Sequence, residues 1–213
     1  MDVSAIIPAR NEAPRIERVL STLLAYPGFR EVIVVDDGSS DETALIADRL
    51  GARVVRTEGG KGKGAAMDAG ACASQGSALF FCDADIIGLT HNIIRETVEP
   101  VVRGEYDMYI AARRSKVRHL GFGLTFSPLL DGQRAVTRDL WFSVPERFRK
   151  GYEIEVALNH VGARSPKGFH FKHHDISQVH KEEKRGYLRG RLARYMMYRD
   201  IALAKVRLAL EIP

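Results

Sequence analysis

Cysteine is scarce in this chain. Cys72 and Cys82 are the only two in 213 residues, and their spacing suits no metal site. Neither a disulfide framework nor a cysteine-built zinc site is expected. Both lie in apolar surroundings, which reads as reduced, buried thiols of a cytosolic protein. Long apolar runs are missing too. No stretch reaches the roughly 18 apolar residues that a membrane-spanning helix needs. The chain starts directly on a strand, so no leader sequence is expected. Gly59 to Gly64 is not followed by the Lys-Ser/Thr of a P-loop, and no G-x-G-x-x-G follows the first strand. Both absences argue against the commonest nucleotide-binding folds. There is no internal repeat and no low-complexity tract.

What is present suits one soluble globular domain with a small appendage. Hydrophobic residues make up 45% and charged residues 28%, enough to bury a full core under a polar surface. The net charge of +5 sits at one end: Lys181 to Pro213 holds nine basic and four acidic residues, and the body balances. Such a tail suits an anionic partner. The balanced body does not suit nucleic acid.

The first half alternates apolar runs with helical periodicity. Val3–Ile7 reads as a strand, and Pro14 opens a helix carrying Ile16, Val19, Leu20, Leu23 and Leu24. Glu31–Val35 is apolar without alternation, as befits a parallel strand covered on both faces. A helix over Glu42–Leu50, capped from Asp36–Asp41, follows, then a strand over Ala52–Val55. The flexible basic loop Gly59–Gly64 leads into a small-residue helix, Ala65–Ala73. Leu79–Phe81 is the next strand, Thr90 caps a helix to about Val102, and Asp107–Ala111 is a further strand. The order predicts an α/β fold with a doubly wound, mainly parallel sheet and helices on both faces. Farther on, helices are expected over Ala135–Phe142 and Tyr152–Val161, a strand over Gly168–His173, and a basic C-terminal helix from Lys181. That helix aligns Leu188, Leu192, Tyr195, Met196, Leu203, Val206 and Leu210 on one side, interrupted by Arg199.

Ligands of open α/β sheets bind beyond the C-terminal strand ends. Three loops meet there: Pro8–Glu12, Asp36–Asp41 and Asp83–Asp85. Asp83 and Asp85, one residue apart after a buried strand, repel each other unless a cation lies between them. A hard divalent ion, Mg²⁺ or Mn²⁺, fits. Asn11 and Asp37 can address the edges of a base and ribose. Lys63, at a helix N-terminus, can neutralise a pyrophosphate. Asp41 is read as turn and cap chemistry.

Four ordered motifs carry a specific resemblance. Ile6-Ile7-Pro8-Ala9-Arg10-Asn11-Glu12, Val34-Val35-Asp36-Asp37-Gly38-Ser39-Ser40-Asp41, Lys63-Gly64-Ala65-Ala66 and Asp83-Ala84-Asp85 resemble the nucleotide-sugar half of family-2-type glycosyltransferases of GT-A fold. Asp131-Gly132-Gln133-Arg134-Ala135, Gly151-Tyr152-Glu153-Ile154-Glu155 and Lys181-Glu182-Glu183-Lys184 resemble the subgroup of glucosyl-3-phosphoglycerate synthases. The resemblance implies a GT-A-like catalytic domain over 1–180, with a nucleotide-sugar half at 1–111 and an acceptor half at 112–180. The helix of 181–213 would lie outside it. It implies a metal-dependent hexosyltransferase acting on a nucleoside diphosphate sugar, UDP-linked first and GDP-linked second, and an anionic or hydroxyl acceptor. Pro8, Ala9, Asn11 and Glu12 would line the nucleoside slot and Asp37 would face base or ribose. Lys63 would sit near base or phosphate, Asp83 at ribose or metal, and Asp85 on the metal. A third ligand is expected before the Lys-x-x-Lys segment. That position aligns with Gln178, flanked by His174 and His180, and His180 is carried as the ligand. Glu155, in a Tyr-x-x-Glu spacing, is the expected catalytic carboxylate of the acceptor half, for orientation of acceptor or sugar. The nearest resemblance implies retention of configuration, while the broad family is mostly inverting.

Two residues apart on a helix, Glu153 and Glu155 cannot share a face, so one is structural. Arg113, Arg114, Lys116, Arg118 and Arg134 can meet an anionic acceptor. Leu188, Leu192, Leu203 and Val206 are expected to be buried by protein, within the chain or across a homodimer. The basic residues beside them would remain for peripheral contact at the inner face of a membrane. Two other classes compete. A sugar-nucleotide nucleotidyltransferase needs an early Gly-rich, Arg-containing phosphate loop, which Pro8–Glu12 is not. A non-catalytic nucleotide-sugar-binding protein has no need of an intact Asp83 and Asp85.

Overall fold

A computed structural model describes residues 1–113, 132–151, 153–178, 199, 202–204, 206–208 and 210–211. Elements follow in chain order as β1 (Val3–Ala9), α1 (Ala13–Leu24), β2 (Glu31–Asp36), α2 (Thr43–Arg49), β3 (Arg53–Arg56), α3 (Lys63–Ala73) and β4 (Ala78–Phe81). Then come β5 (Ile86–Ile87), α4 (His91–Val102), β6 (Met108–Arg113), β7 (Arg134–Thr137), α5 (Arg138–Ser143), α6 (Glu153–Gly162), β8 (Phe169–His174) and β9 (Ser177–Gln178). The expected β-α-β-α-β-α-β order holds throughout the first half.

Seven strands form one sheet in the order β3-β2-β1-β4-β7-β6-β8. β1 pairs in parallel with β2 and β4, and β2 with β3. β7 enters between β4 and β6, antiparallel to both, and β8 returns parallel to β6. The sheet is therefore mainly parallel, as expected.

The period-2 alternation of the strands sorts the core into two layers. Ala5, Ile7, Val34, Phe80, Ala111 and Ala135 face α1, α2 and α4. Ile6, Ile33, Val35, Leu79, Phe81, Ile110 and Val136 face α3, α5 and α6. A strand buried on both faces has no polar side to show, which is why these runs lack alternation in sequence. The small residues of α3 have a packing reason: a Cβ on Gly70 would lie 2.4 Å from Ile6 Cγ2 and 2.9 Å from Val35 Cγ2.

Four expectations need correction. Ala135–Phe142 is not one helix. Arg134–Thr137 is a central strand, and Thr137 accepts from Leu140 N to start α5. Burial between β4 and β6 outweighs the helical reading of those residues. The helix expected from Ala65 begins at Lys63. Cys72 is exposed on α3, whereas Cys82 is buried and its thiol is pushed well up by burial. Among the described residues of the C-terminus, Ala204 and Leu208 are buried. Leu203 and Val206 are exposed on this chain, 48% and 60%, which removes the within-chain alternative for them, and Leu188 and Leu192 lie outside the described residues. Ion pairs set this face: Arg147 Nε to Glu211 at 2.8 Å and Arg207 to Glu153 at 3.6 Å.

Candidate active site

The C-terminal ends of β1, β2 and β4 lie side by side, with Ala9 paired to Asp36 and Ile6 to Phe81. The three loops singled out in the sequence leave from this one edge. Asn11 takes a left-handed backbone, φ 55°, which asparagine tolerates better than most residues. Its Oδ1 accepts from Ser40 N at 2.8 Å, while its own N–H donates to Ser39 Oγ at 3.0 Å. Asp41 accepts from Thr43 N and Ala13 N, both at 3.1 Å. It thus ties the β2–α2 turn to the start of α1, which is the turn role read from sequence. Glu12 N donates to Thr43 Oγ1 at 2.8 Å. Pro8 and Ala9 end β1 beneath these bonds.

Asp37 is buried, and its carboxylate gathers the basic loop. Oδ1 accepts from Thr57 Oγ1 at 2.9 Å and Oδ2 from Gly62 N at 3.1 Å. Gly38 and Gly59 allow the two loops to touch. Both have positive φ, and a Cβ on Gly38 would lie 2.7 Å from Gly59 Cα. The sequence assigned Asp37 and Asn11 to a nucleoside; the structure shows both tying the loops of this edge together.

Asp83 is the hub of the site. Lys63, the first residue of α3, sets its Nζ 2.6 Å from Asp83 Oδ1 and 2.7 Å from Glu155 Oε1. Burial alone would push the Lys63 ammonium down. The two carboxylates outweigh it and hold its pKa above the ordinary lysine value. Burial likewise opposes ionisation of Asp83, but Lys63, Gln133 and Arg113 hold its carboxyl below the usual value. Gln133 Nε2 donates to Asp83 Oδ2 at 3.1 Å, and Gln178 Nε2 donates to the same oxygen. Gln178 Oε1 accepts from Arg113 at 2.8 Å. A Cβ on Gly132 would lie 2.4 Å from either Asp83 oxygen, so a larger residue there would displace this carboxylate.

Asp85 lies half-buried in the turn between β4 and β5. β5 pairs with β9, Ile86 opposite Gln178, and so brings the end of the described core back to this turn. Among the described residues no three His, Cys, Asp or Glu side chains converge as a metal cluster. Of the three candidates for a third ligand, Gln178 reaches Asp83. His174 instead sits 3.9 Å from Glu96 of α4, on the opposite face of the sheet from Lys63 and Glu155. Burial lowers its pKa there. His180 lies outside the described residues, as do Arg114, Lys116 and Arg118.

Glu155 and Glu153 part as the helix geometry requires. Glu155 is 3% exposed and held by Lys63, whereas Glu153 pairs with Arg207. Arg134 is fully buried on β7 and donates to Asn159 Oδ1 of α6 at 3.2 Å. Gln133 and Gly132 went unassigned because their segment read as the approach to a helix. Recognising Arg134–Thr137 as a strand beside β4 would have placed them against Asp83.

Residues 4–159 match the family model described as Glycosyl transferase family 2. The glycosyltransferase AglD of Haloferax volcanii is 36% identical over 126 residues, 53% of this chain and 20% of that protein. A glucosyl-3-phosphoglycerate synthase of Mycobacterium tuberculosis is 30% identical over 193 residues, 73% of this chain and 59% of the relative. The chain thus spans between a fifth and three fifths of these relatives' length. The crystal structure of the M. tuberculosis synthase with Mn²⁺, uridine diphosphate and phosphoglyceric acid superposes with TM-score 0.78 at 25% identity. That superposition covers 99% of this chain and 79% of the other. The sheet order, the D-x-D turn at its edge and the family match agree: this chain belongs to glycosyl transferase family 2 and has the GT-A fold.

Proposed function

We propose that the chain transfers a hexose from a nucleoside diphosphate sugar, UDP-linked by preference and GDP-linked second, to an anionic acceptor. The observation that carries this is the meeting of Asp83, Asp85, Lys63 and the two nucleoside-slot loops at one sheet edge, in a chain of this family. The synthase of similar fold binds Mn²⁺, uridine diphosphate and phosphoglyceric acid, which supports this donor and acceptor class.

A divalent cation, Mg²⁺ or Mn²⁺, when bound would counter the charge that develops on the leaving diphosphate. The donor set here suits such an ion held by few protein groups. Asp85, in the turn between β4 and β5, is the carboxylate that would ligate it, with substrate phosphates and water completing the shell, while Asp83 is held by Lys63, Gln133 and Gln178. Lys63 keeps Asp83 ionised and fixes where both Asp83 and Glu155 point. Glu155, so held, orients the sugar or acceptor and is not a mobile base. Pro8, Ala9, Asn11, Glu12 and Asp37 shape the nucleoside slot. The donor half is 1–111 and the acceptor half 112–180. Arg113 and Arg134 contribute positive charge on the acceptor side, the latter from within the sheet.

The test is a transfer assay with UDP- and GDP-sugars, Mg²⁺ or Mn²⁺, and 3-phosphoglycerate or a polyprenyl phosphate as acceptor. Acceptor-dependent release of nucleoside diphosphate is expected with one pair. No release from any donor with either metal would overturn the reading.

We further propose a peripheral, salt-sensitive contact between the basic C-terminal segment and the anionic inner face of a membrane. Among the described residues no helix is long and apolar enough to cross one. Leu203, Val206 and Leu210, spaced three and four apart, are exposed on this chain beside a surplus of basic residues. Flotation with anionic liposomes at low salt should show binding that high salt removes. Absence of binding, with a dimer in solution, would assign the stripe to a second copy instead.

A further inference from the structure

We infer that Gln133 and Gln178 are positioning residues that act through Asp83: two amides that fix the plane and direction of its carboxylate for donor binding. The inference rests on the donor reading proposed above and gives both amides a role through Asp83 rather than on a metal.

The polarity of the chain is forced. The Arg113 guanidinium can only donate, and an ionised Asp83 can only accept. An amide between them has one satisfactory orientation, with Oε1 on Arg113 and Nε2 on Asp83, and Gln178 adopts it. Arg113 closes β6, Gln178 closes β9 and Asp83 follows β4, so three separate elements meet through one side chain. Gln133 approaches the same Oδ2 from β7's leading end. It is fully buried, and its Oε1 has no hydrogen-bond partner among the described residues. A buried acceptor left unpaired is unfavourable, and it persists here because the reversed amide would set Oε1 against the Asp83 carboxylate. The fold thus tolerates one unsatisfied oxygen to place one N–H. Lys63 holds Oδ1 while the amides hold Oδ2, so rotation of the carboxylate is blocked from both ends. Gly132, without a Cβ, leaves the room that the carboxylate occupies in this position.

A residue that acts only through another has no effect once the other is disabled, which a double-mutant cycle reads directly. The probe is UDP with MnCl₂, titrated calorimetrically into wild type, Gln178→Ala, Asp83→Asn and the double variant. Gln178→Glu keeps the shape but replaces the N–H donor by an acceptor. Gln178→Ala should weaken UDP binding about tenfold and Gln178→Glu more, with the melting temperature of Gln178→Ala close to wild type. In the Asp83→Asn background Gln178→Ala should add less than a twofold loss. Gln133→Met, run in parallel, should repeat this pattern and covers the case in which a Gln178 variant fails to fold. Losses that multiply across the cycle, or UDP binding unchanged in Gln178→Ala and Gln133→Met, would overturn the inference while the donor reading stands. A wild-type protein that binds no UDP with Mn²⁺ would overturn both.

Discussion

The Lys63 ammonium lies 2.6 Å from Asp83, joining the first residue of α3 to the turn after β4. The same ammonium holds Glu155, so one charge links α3, the turn after β4 and α6. Removing it would leave two buried carboxylates without their counter-charge. Breaking a buried ion pair from one side costs about 3–5 kcal/mol, because the partner's desolvation is no longer offset. Lys63→Met should therefore lower the urea midpoint sharply. Lys63→Met combined with Glu155→Gln should recover part of the loss, since one orphaned charge is gone. If Lys63→Met unfolds at the wild-type midpoint, the ammonium does not hold this site together.

Gly132 offers a more selective probe. A methyl group there would meet both Asp83 oxygens at 2.4 Å, and the carboxylate would have to move. Displacing a positioned group by about 1 Å can cost about 100-fold in rate. Gly132→Ala should fold but lose transfer activity by that order. Near-wild-type turnover in Gly132→Ala would mean that the position of Asp83 does not matter.

Acid stability should depend on Glu31, far from the site. Burial opposes its ionisation, but Gln75 N at 2.7 Å, Ser4 Oγ at 2.7 Å and Arg53 at 3.0 Å outweigh it and lower its pKa. A carboxylate with a depressed folded-state pKa stabilises the fold above its unfolded value, and the contribution is lost as pH falls through the folded one. Glu31→Gln should thus be less stable than wild type at pH 7, by about 1–2 kcal/mol for hydrogen bonds to a charged acceptor. The difference should shrink as pH falls below the ordinary glutamate range. A difference that stays constant down to strong acid would show that the charge of Glu31 is not what matters.

Much of this was legible in the chain itself, for physical reasons. A strand buried on both faces must be apolar throughout, so Val32–Val35 and Leu79–Phe81 announced themselves. Ligand-binding loops must leave the C-terminal strand ends, so Asp37, Asp83 and Asp85 could be gathered at one edge before any coordinates. What escaped was long-range. Arg134–Thr137 is too short to show a period, and only its place between β4 and β6 makes it a strand. Gln133 is 50 residues from Asp83, and Gln178, 95 residues away, stood out only as a ligand position: nothing local marks an amide that will donate to a distant carboxylate. Arg138 is a similar case: it donates to the carbonyls of Ala71, Ser74 and Gly76 at the end of α3, a capping task invisible in its own neighbourhood. At the C-terminus the apolar stripe was visible, but among the described residues Ala204 and Leu208 are the ones packed into the core, a choice of face that depends on contacts with the distant sheet layer.

The measurement closest to the central claim is a titration of the wild-type protein and Asp85→Asn with UDP, with and without Mn²⁺. Metal-linked donor binding through Asp85 predicts that Mn²⁺ tightens UDP binding to wild type by at least about tenfold, equivalent to about 1.4 kcal/mol. The variant should keep its fold and the weak metal-free affinity but lose the metal's effect. Equal UDP affinity with and without Mn²⁺ in wild type, or an undiminished Mn²⁺ effect in Asp85→Asn, would contradict the account.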